Sequence, residues 1–210
     1  MADAKICGIT TPEALDAAIA GGARFVGFVT YPRSPRFLRI DRLAALAERA
    51  RGRVETVLVT VDADDAHLGA AVAAAQPDWI QLHGSESVKR AAEVRPFARR
   101  GLIKAVGVAR REDLTTTKPF EPVVDMYLFD AQPPVGDRPG GNALAFDWGL
   151  MAGAQIGRPW LLAGGLTPGN VKEAIRVSGA DLVDVSSGVE SRPGLKDPHL
   201  IAQFLAAAEV

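Results

Sequence analysis

Trp160-Leu161-Leu162-Ala163-Gly164-Gly165-Leu166-Thr167-Pro168 reads as a short apolar strand, a glycine pair, and then a helix start, with a capping hydroxyl before a proline at the first helical position. Further on, Leu182-Val183-Asp184-Val185-Ser186-Ser187-Gly188 follows the same plan, an apolar strand running into small polar residues. Glycines let backbone N–H groups approach an anion, and serines add hydroxyls to those donors. Tight turns would explain isolated glycines. Two such segments in succession instead match the phosphate cradle that many (β/α)₈ barrels build after strands seven and eight.

Working outward from this pair, the rest of the chain keeps the same rhythm. Strand-like runs at 3–7, 25–30, 54–61, 79–82, 102–106 and 126–130 precede those at 160–163 and 182–185. Helix-like, Ala-rich stretches fall at 12–20, 39–50, 65–75, 86–99, 111–120, 147–152, 168–177 and 198–208. Alternation of strand and helix predicts a parallel sheet, and eight repeats predict closure into a single (β/α)₈ TIM barrel, one phosphate-binding α/β domain over residues 1–210. The competing doubly wound open sheet normally has fewer strands, and no Gly-x-Gly-x-x-Gly follows the first strand here. Thr11-Pro12 marks another helix start, while Gly21-Gly22 and Gly179 stand where chains leave helices.

Composition bounds the function. With 24 basic and 25 acidic residues the net charge is -1, which argues against a nucleic-acid partner and makes any anion site local. No apolar run reaches membrane-spanning length, and no secretory leader opens the chain. The single cysteine, Cys7, fits a reducing compartment, so the expected location is the cytoplasm. The three histidines, His67, His83 and His199, are scattered without metal-ligand spacing, so no metal is expected.

In such a barrel the chemistry sits at the carboxyl ends of the strands. Strand one ends at Lys5-Ile6-Cys7-Gly8, with Lys5 and Cys7 on the same side. Cys7 reads either as a small buried hydrophobe or as a thiol whose pKa is lowered by Lys5 and by the helix opening near Pro12. Asp130, after the apolar run 126–129, either caps a loop or pairs with an arginine, or else acts as a general acid in a water-poor pocket. The stiff loop Tyr31-Pro32-Arg33-Ser34-Pro35-Arg36 is either a solvated turn or a guanidinium clamp for a planar carboxylate. His83 reads equally as a satisfied polar residue and as a site residue. Gly164, Gly165, Ser186, Ser187 and Gly188 are the phosphate-binding candidates.

Taken together, these segments resemble the phosphoribosylanthranilate isomerase family. The resemblance is carried by Lys5-Ile6-Cys7-Gly8-Ile9-Thr10, by residues 31–36, by Gln81-Leu82-His83-Gly84 and by residues 161–166. Asp184-Val185-Ser186-Ser187-Gly188-Val189-Glu190 and Pro193-Gly194-Leu195-Lys196-Asp197 complete an ordered set from residue 5 to residue 197. The resemblance implies a cofactor-free Amadori rearrangement of N-(5-phosphoribosyl)anthranilate in tryptophan biosynthesis. It gives Cys7 the role of general base, Asp130 that of general acid, and Arg36 that of holding the anthranilate carboxylate. His83 and the two glycine–serine segments join the substrate site. The implied partner is a small phosphorylated substrate, and the expected assembly is a monomer or a homodimer. One departure stands out, because Ala143 in Gly140-Gly141-Asn142-Ala143 occupies a position where the family usually has glycine. Ser85 likewise stands where the family often has an acidic or amide residue.

Overall fold

A computed structural model describes residues 2–132 and 145–209. Eight parallel strands close into a barrel in sequential order: β1 (Asp3–Cys7), β2 (Phe25–Val29), β3 (Glu55–Thr60), β4 (Trp79–Leu82), β5 (Gly101–Val108), β6 (Met126–Ala131), β7 (Trp160–Leu162) and β8 (Leu182–Val185). The seam is β1 against β8, with Lys5 opposite Asp184. The expected (β/α)₈ barrel is therefore the fold.

Alternation along each strand divides the core into two layers. Phe25, Val29, Val57, Val59, Ile103, Met126, Leu128, Leu161 and Leu182 fill the lumen together with Cys7. The opposite faces of the strands, with Ile6, Val26, Phe28, Leu58, Tyr127 and Phe129, pack against the surrounding helices. These helices are α1 (Pro12–Ala20), α2 (Ile40–Ala50), α3 (Asp65–Ala75), α4 (Val88–Val94), α5 (Val171–Ser178) and α6 (Pro198–Ala208). None among the described residues is long and apolar enough to cross a membrane.

Local chemistry sets the helix starts. Thr11, Asp64, Ser87 and Asp197 each cap a helix with a side-chain oxygen, and Pro12 and Pro198 occupy first-turn positions. The Thr167-Pro168 start is displaced: α5 begins at Val171, because Asn170 Oδ1 accepts the Thr167 N–H at 2.8 Å and closes a separate turn first. Two expected α-helices are 3₁₀ segments instead. In Arg111–Phe120, Thr115, Thr116 and Thr117 each donate a hydroxyl to the carbonyl three residues back at 2.7 Å, and Pro119 lacks an N–H to extend an α-helix. Trp148–Met151 is a single short turn capped by Asp147. The fourth helix is also shorter than expected, since Pro96 turns its end into 3₁₀ and Glu86 folds back outside it.

Candidate active site

At the mouth of the barrel Cys7 ends β1, with its thiol in the lumen and 8% of the residue exposed. Below it Lys5 is fully buried and gives its ammonium to Asp184 of β8 at 2.8 Å. Burial disfavours the Lys5 charge, but Asp184 and then Cys7 outweigh it and raise the lysine pKa. The thiol behaves differently from the sequence expectation. Burial pushes the Cys7 pKa up, and the opposing pull of Lys5 is weakened by Asp184, which also faces the thiol and raises it. A lysine already paired with a carboxylate cannot deliver its full charge to a neighbour.

Asp130 lies at the carboxyl end of β6, its Oδ1 accepting the Ala131 N–H at 2.8 Å. His83, one residue past β4, brings Nε2 to within 3.6 Å of Asp130 Oδ2. The other ring nitrogen of His83 meets Gln81 Nε2 at 2.6 Å. Gln81, His83 and Asp130 are therefore consecutive neighbours on the side of the barrel formed by β4, β5 and β6.

The loop after β2 separates its two arginines. Arg33 is exposed, as a surface turn requires, whereas Arg36 is buried. The Arg36 stem crosses Gly8, where a β-carbon would stand 2.5 Å from Arg36 Cδ, and Gly8 holds φ +79°. Only glycine permits both that approach and that backbone. Arg36 donates through Nε and Nη2 to the two oxygens of Glu190, at 2.6 and 2.9 Å. One edge of the guanidinium is thus committed, and Nη1 has no hydrogen-bond partner among the described residues. Burial would raise the Glu190 pKa, but Arg36 and Lys196 together hold it below its ordinary value.

Lys196, on a small antiparallel hairpin formed by β9 (Glu190–Arg192) and β10 (Leu195–Lys196), completes this network. Its ammonium donates to Glu190 Oε1 at 2.7 Å, to the Ser186 carbonyl at 2.9 Å and to the Ser186 hydroxyl at 3.2 Å. Burial lowers its pKa to about 8 against the pull of Glu190. The Ser186 hydroxyl donates in turn to the Cys7 carbonyl at 3.1 Å. Glu190, Lys196, Gln81 and Asp184 were not among the expected site residues. Their signal was present only as unassigned letters inside the motifs.

The glycine–serine segments meet as the sequence pattern anticipates. Gly164 and Gly165 have φ +83° and +66°, and Gly165 packs against the backbone of Ala145. Gly188 abuts the loop after β7, because a β-carbon there would sit 1.9 Å from the Leu166 carbonyl oxygen. Ser187 and Gly188 open the short 3₁₀ turn Ser187–Val189, whose first N–H groups have no acceptor inside it. Ala143 and residues 133–144 around it lie outside the described residues. Ser85 donates its N–H to Asp62 Oδ1 at 2.8 Å, on the rim beside Glu86 and Lys104.

A closed parallel barrel with a thiol, a carboxylate, a half-committed arginine and paired glycine loops at the carboxyl ends of its strands defines a (β/α)₈-barrel enzyme. The N-(5'-phosphoribosyl)anthranilate (PRA) isomerase family profile matches residues 4–207. An N-(5'-phosphoribosyl)anthranilate isomerase from Paracoccus denitrificans is 54% identical, over 97% of this chain and 95% of its own. The crystal structure of phosphoribosyl anthranilate isomerase from Thermotoga maritima superposes with a TM-score of 0.88 at 33% identity, covering 100% of this chain and 99% of that one. A further phosphoribosyl anthranilate isomerase, solved in complex with reduced 1-(o-carboxyphenylamino)-1-deoxyribulose 5-phosphate, gives 0.84 at 31% identity, over 100% and 99% of the two chains. The chain belongs to the N-(5'-phosphoribosyl)anthranilate isomerase family of tryptophan biosynthesis.

Proposed function

We propose that the chain carries out the Amadori rearrangement of N-(5-phosphoribosyl)anthranilate to 1-(2-carboxyphenylamino)-1-deoxyribulose 5-phosphate by general acid–base catalysis, without a cofactor. The observation that carries this reading is the placement of Cys7 and Asp130 at one barrel mouth, on β1 and β6, between Arg36 and the two glycine loops. Asp130 protonates the ribose ring oxygen, the C1–O bond breaks, and the amine lone pair forms an iminium. Cys7 then takes the C2 proton, and the electron pair left behind neutralises the iminium as an enolamine. Protonation at C1 and loss of the C2 hydroxyl proton give the ketone. Burial opposes the thiolate this step requires, and Lys5 and Lys196 are the cations that offset part of that opposition.

The free side of Arg36 takes the anthranilate carboxylate. The N–H groups around Gly164, Gly165, Ser187 and Gly188 take the phosphate, with Ser186 bracing the loop through Cys7. That fixes the substrate at both ends, with C1 and C2 between acid and base. The deciding experiment follows the anthranilate-type fluorescence of freshly made substrate with the parent chain, Cys7→Ala and Asp130→Asn. Decay well above the spontaneous rate, abolished in Asp130→Asn and strongly reduced in Cys7→Ala, is the expected result. A Cys7→Ala chain that turned over at the parent rate would remove the thiol from the mechanism.

A further inference from the structure

Gln81 is fully buried in the barrel, and its amide commits an N–H to His83 Nδ1 at 2.6 Å. Its carbonyl oxygen Oε1 has no hydrogen-bond partner among the described residues. A buried acceptor left unpaired costs free energy, so the fold holds this amide where it serves His83 rather than itself. With Nδ1 occupied as an acceptor, a neutral imidazole must carry its proton on Nε2. Nε2 is the nitrogen that faces Asp130, 3.6 Å from Oδ2. The opposite amide orientation would put the proton on Nδ1 and aim a bare lone pair at the carboxylate. Gln81 therefore holds the ring in the tautomer from which the ionised form of Asp130 can accept.

The present separation exceeds a hydrogen bond, as catalytic contacts often do before substrate binds. β5 lies between β4 and β6, and its Gly107 stands opposite Asp130 while Ala105 lines the lumen two residues earlier. The surrounding charges are already matched. Lys5 pairs with Asp184, Lys104 pairs with Glu86 behind the loop after β4, and Asp62 is held by Ser85. Among the described residues, Val59, Ile103 and Ala163 of the neighbouring strands carry no titratable group, and Cys7 is the titratable member of the same lumen cluster.

We propose that His83 is a positioning residue for Asp130, held by Gln81 as a fixed Nε2–H donor that closes on Oδ2 when Asp130 gives up its proton. The inference rests on the reading of Asp130 as the general acid. The Asp130 proton goes to the substrate ring oxygen, and the imidazole keeps its own proton throughout. The new carboxylate then accepts the Ala131 N–H on Oδ1 and the His83 N–H on Oδ2. A neutral imidazole held as a hydrogen-bond donor is a known catalytic device.

The test uses the full chain. Nitrogen NMR of ¹⁵N-histidine-labelled parent reads the His83 tautomer, expected as Nε2–H and mixed in Gln81→Leu. Carbon NMR then titrates the Asp130 carboxyl. Its midpoint is expected to rise by about one unit in His83→Leu and to return in His83→Gln, whose amide nitrogen replaces Nε2. In turnover, His83→Leu loses about 10- to 100-fold in kcat with little change in KM, and the alkaline limb of the rate profile moves to higher pH. An Nδ1–H tautomer in the parent, or an Asp130 titration indifferent to His83→Leu, overturns the proposal without reference to any activity. If the two residues are coupled in a chain that does not isomerise the substrate, the coupling is supported and it is the functional reading that falls.

Discussion

Glu190 grips Arg36 with both carboxylate oxygens, at 2.6 and 2.9 Å, in a site where the two side chains are only 4% and 6% exposed. The pair reaches across 154 residues of sequence, from the loop after β2 to the hairpin after β8. It fixes which edge of the guanidinium faces away from Glu190. Replacing Glu190 with glutamine keeps the shape but removes the charge that orients Arg36. The expected outcome is a KM raised by about 10-fold with kcat little changed, as for lost uniform binding. Glu190→Ala leaves Arg36 and Lys196 buried without their carboxylate and should cost roughly 3–5 kcal/mol in urea unfolding.

Gly188 should not tolerate even a methyl group. Its β-carbon would fall 1.9 Å from the Leu166 carbonyl oxygen, so Gly188→Ala must push the loops after β7 and β8 apart. Inorganic phosphate should then protect the variant against heat far less than it protects the parent, with a loss of affinity of about 10-fold or more. Gly22→Ala is the control, since its φ is +79° but nothing lies within 4 Å. It should lose about 1–2 kcal/mol to backbone strain alone and keep its phosphate response.

The Cys7 thiol is held up chiefly by burial, against the pull of Lys5. Thiolate absorbance, taken as parent minus Cys7→Ala, should therefore appear only above the ordinary thiol range near pH 9. Removing the lysine charge in Lys5→Met should move that midpoint higher still. A midpoint near neutrality in the parent would contradict the balance of burial over charge.

Stability should respond to alkali in two opposite ways. Burial lowers the Lys196 pKa to about 8 from an ordinary 10.5, so between these values the unfolded chain binds one more proton than the folded chain. The lysine contribution therefore rises with pH over that window, by about 1.4 kcal/mol per unit. Tyr127 does the reverse. Burial raises its hydroxyl from 10.0 to about 12, so the folded chain retains the proton longer and stability is lost as pH climbs through that range. Urea unfolding from pH 7 to 12 should show the first trend vanish in Lys196→Met and the second in Tyr127→Phe. The tyrosine variant also loses the 2.7 Å bond to the Thr117 carbonyl, at about 1–2 kcal/mol.

Much of the barrel was legible because its signals are local. Strand-sized apolar runs, Thr11-Pro12 before α1 and Gly179 after α5 act through backbone geometry within a few residues. The miscounted helices failed for reasons that local periodicity does not carry. The Thr115–Thr117 hydroxyls turn back onto their own backbone, and Asn170 closes a turn before α5 can begin. Cys7, Asp130, Arg36 and His83 could be singled out because each closes a strand or a stiff loop. What each of them touches could not.

From the order of its residues alone, the chain determines an eight-stranded parallel barrel, a face on which chemistry collects, and the family to which it belongs. Only closure of that barrel decides the electrostatics of the site. It sets Asp184 against Lys5 across 179 residues, Glu190 against Arg36 across 154, and His83 against Asp130 between strands that do not touch. The physical reason is one of range. Turns and caps depend on neighbours along the chain, whereas a buried charge is governed by whichever opposite charge lies within a few ångströms once water has been excluded.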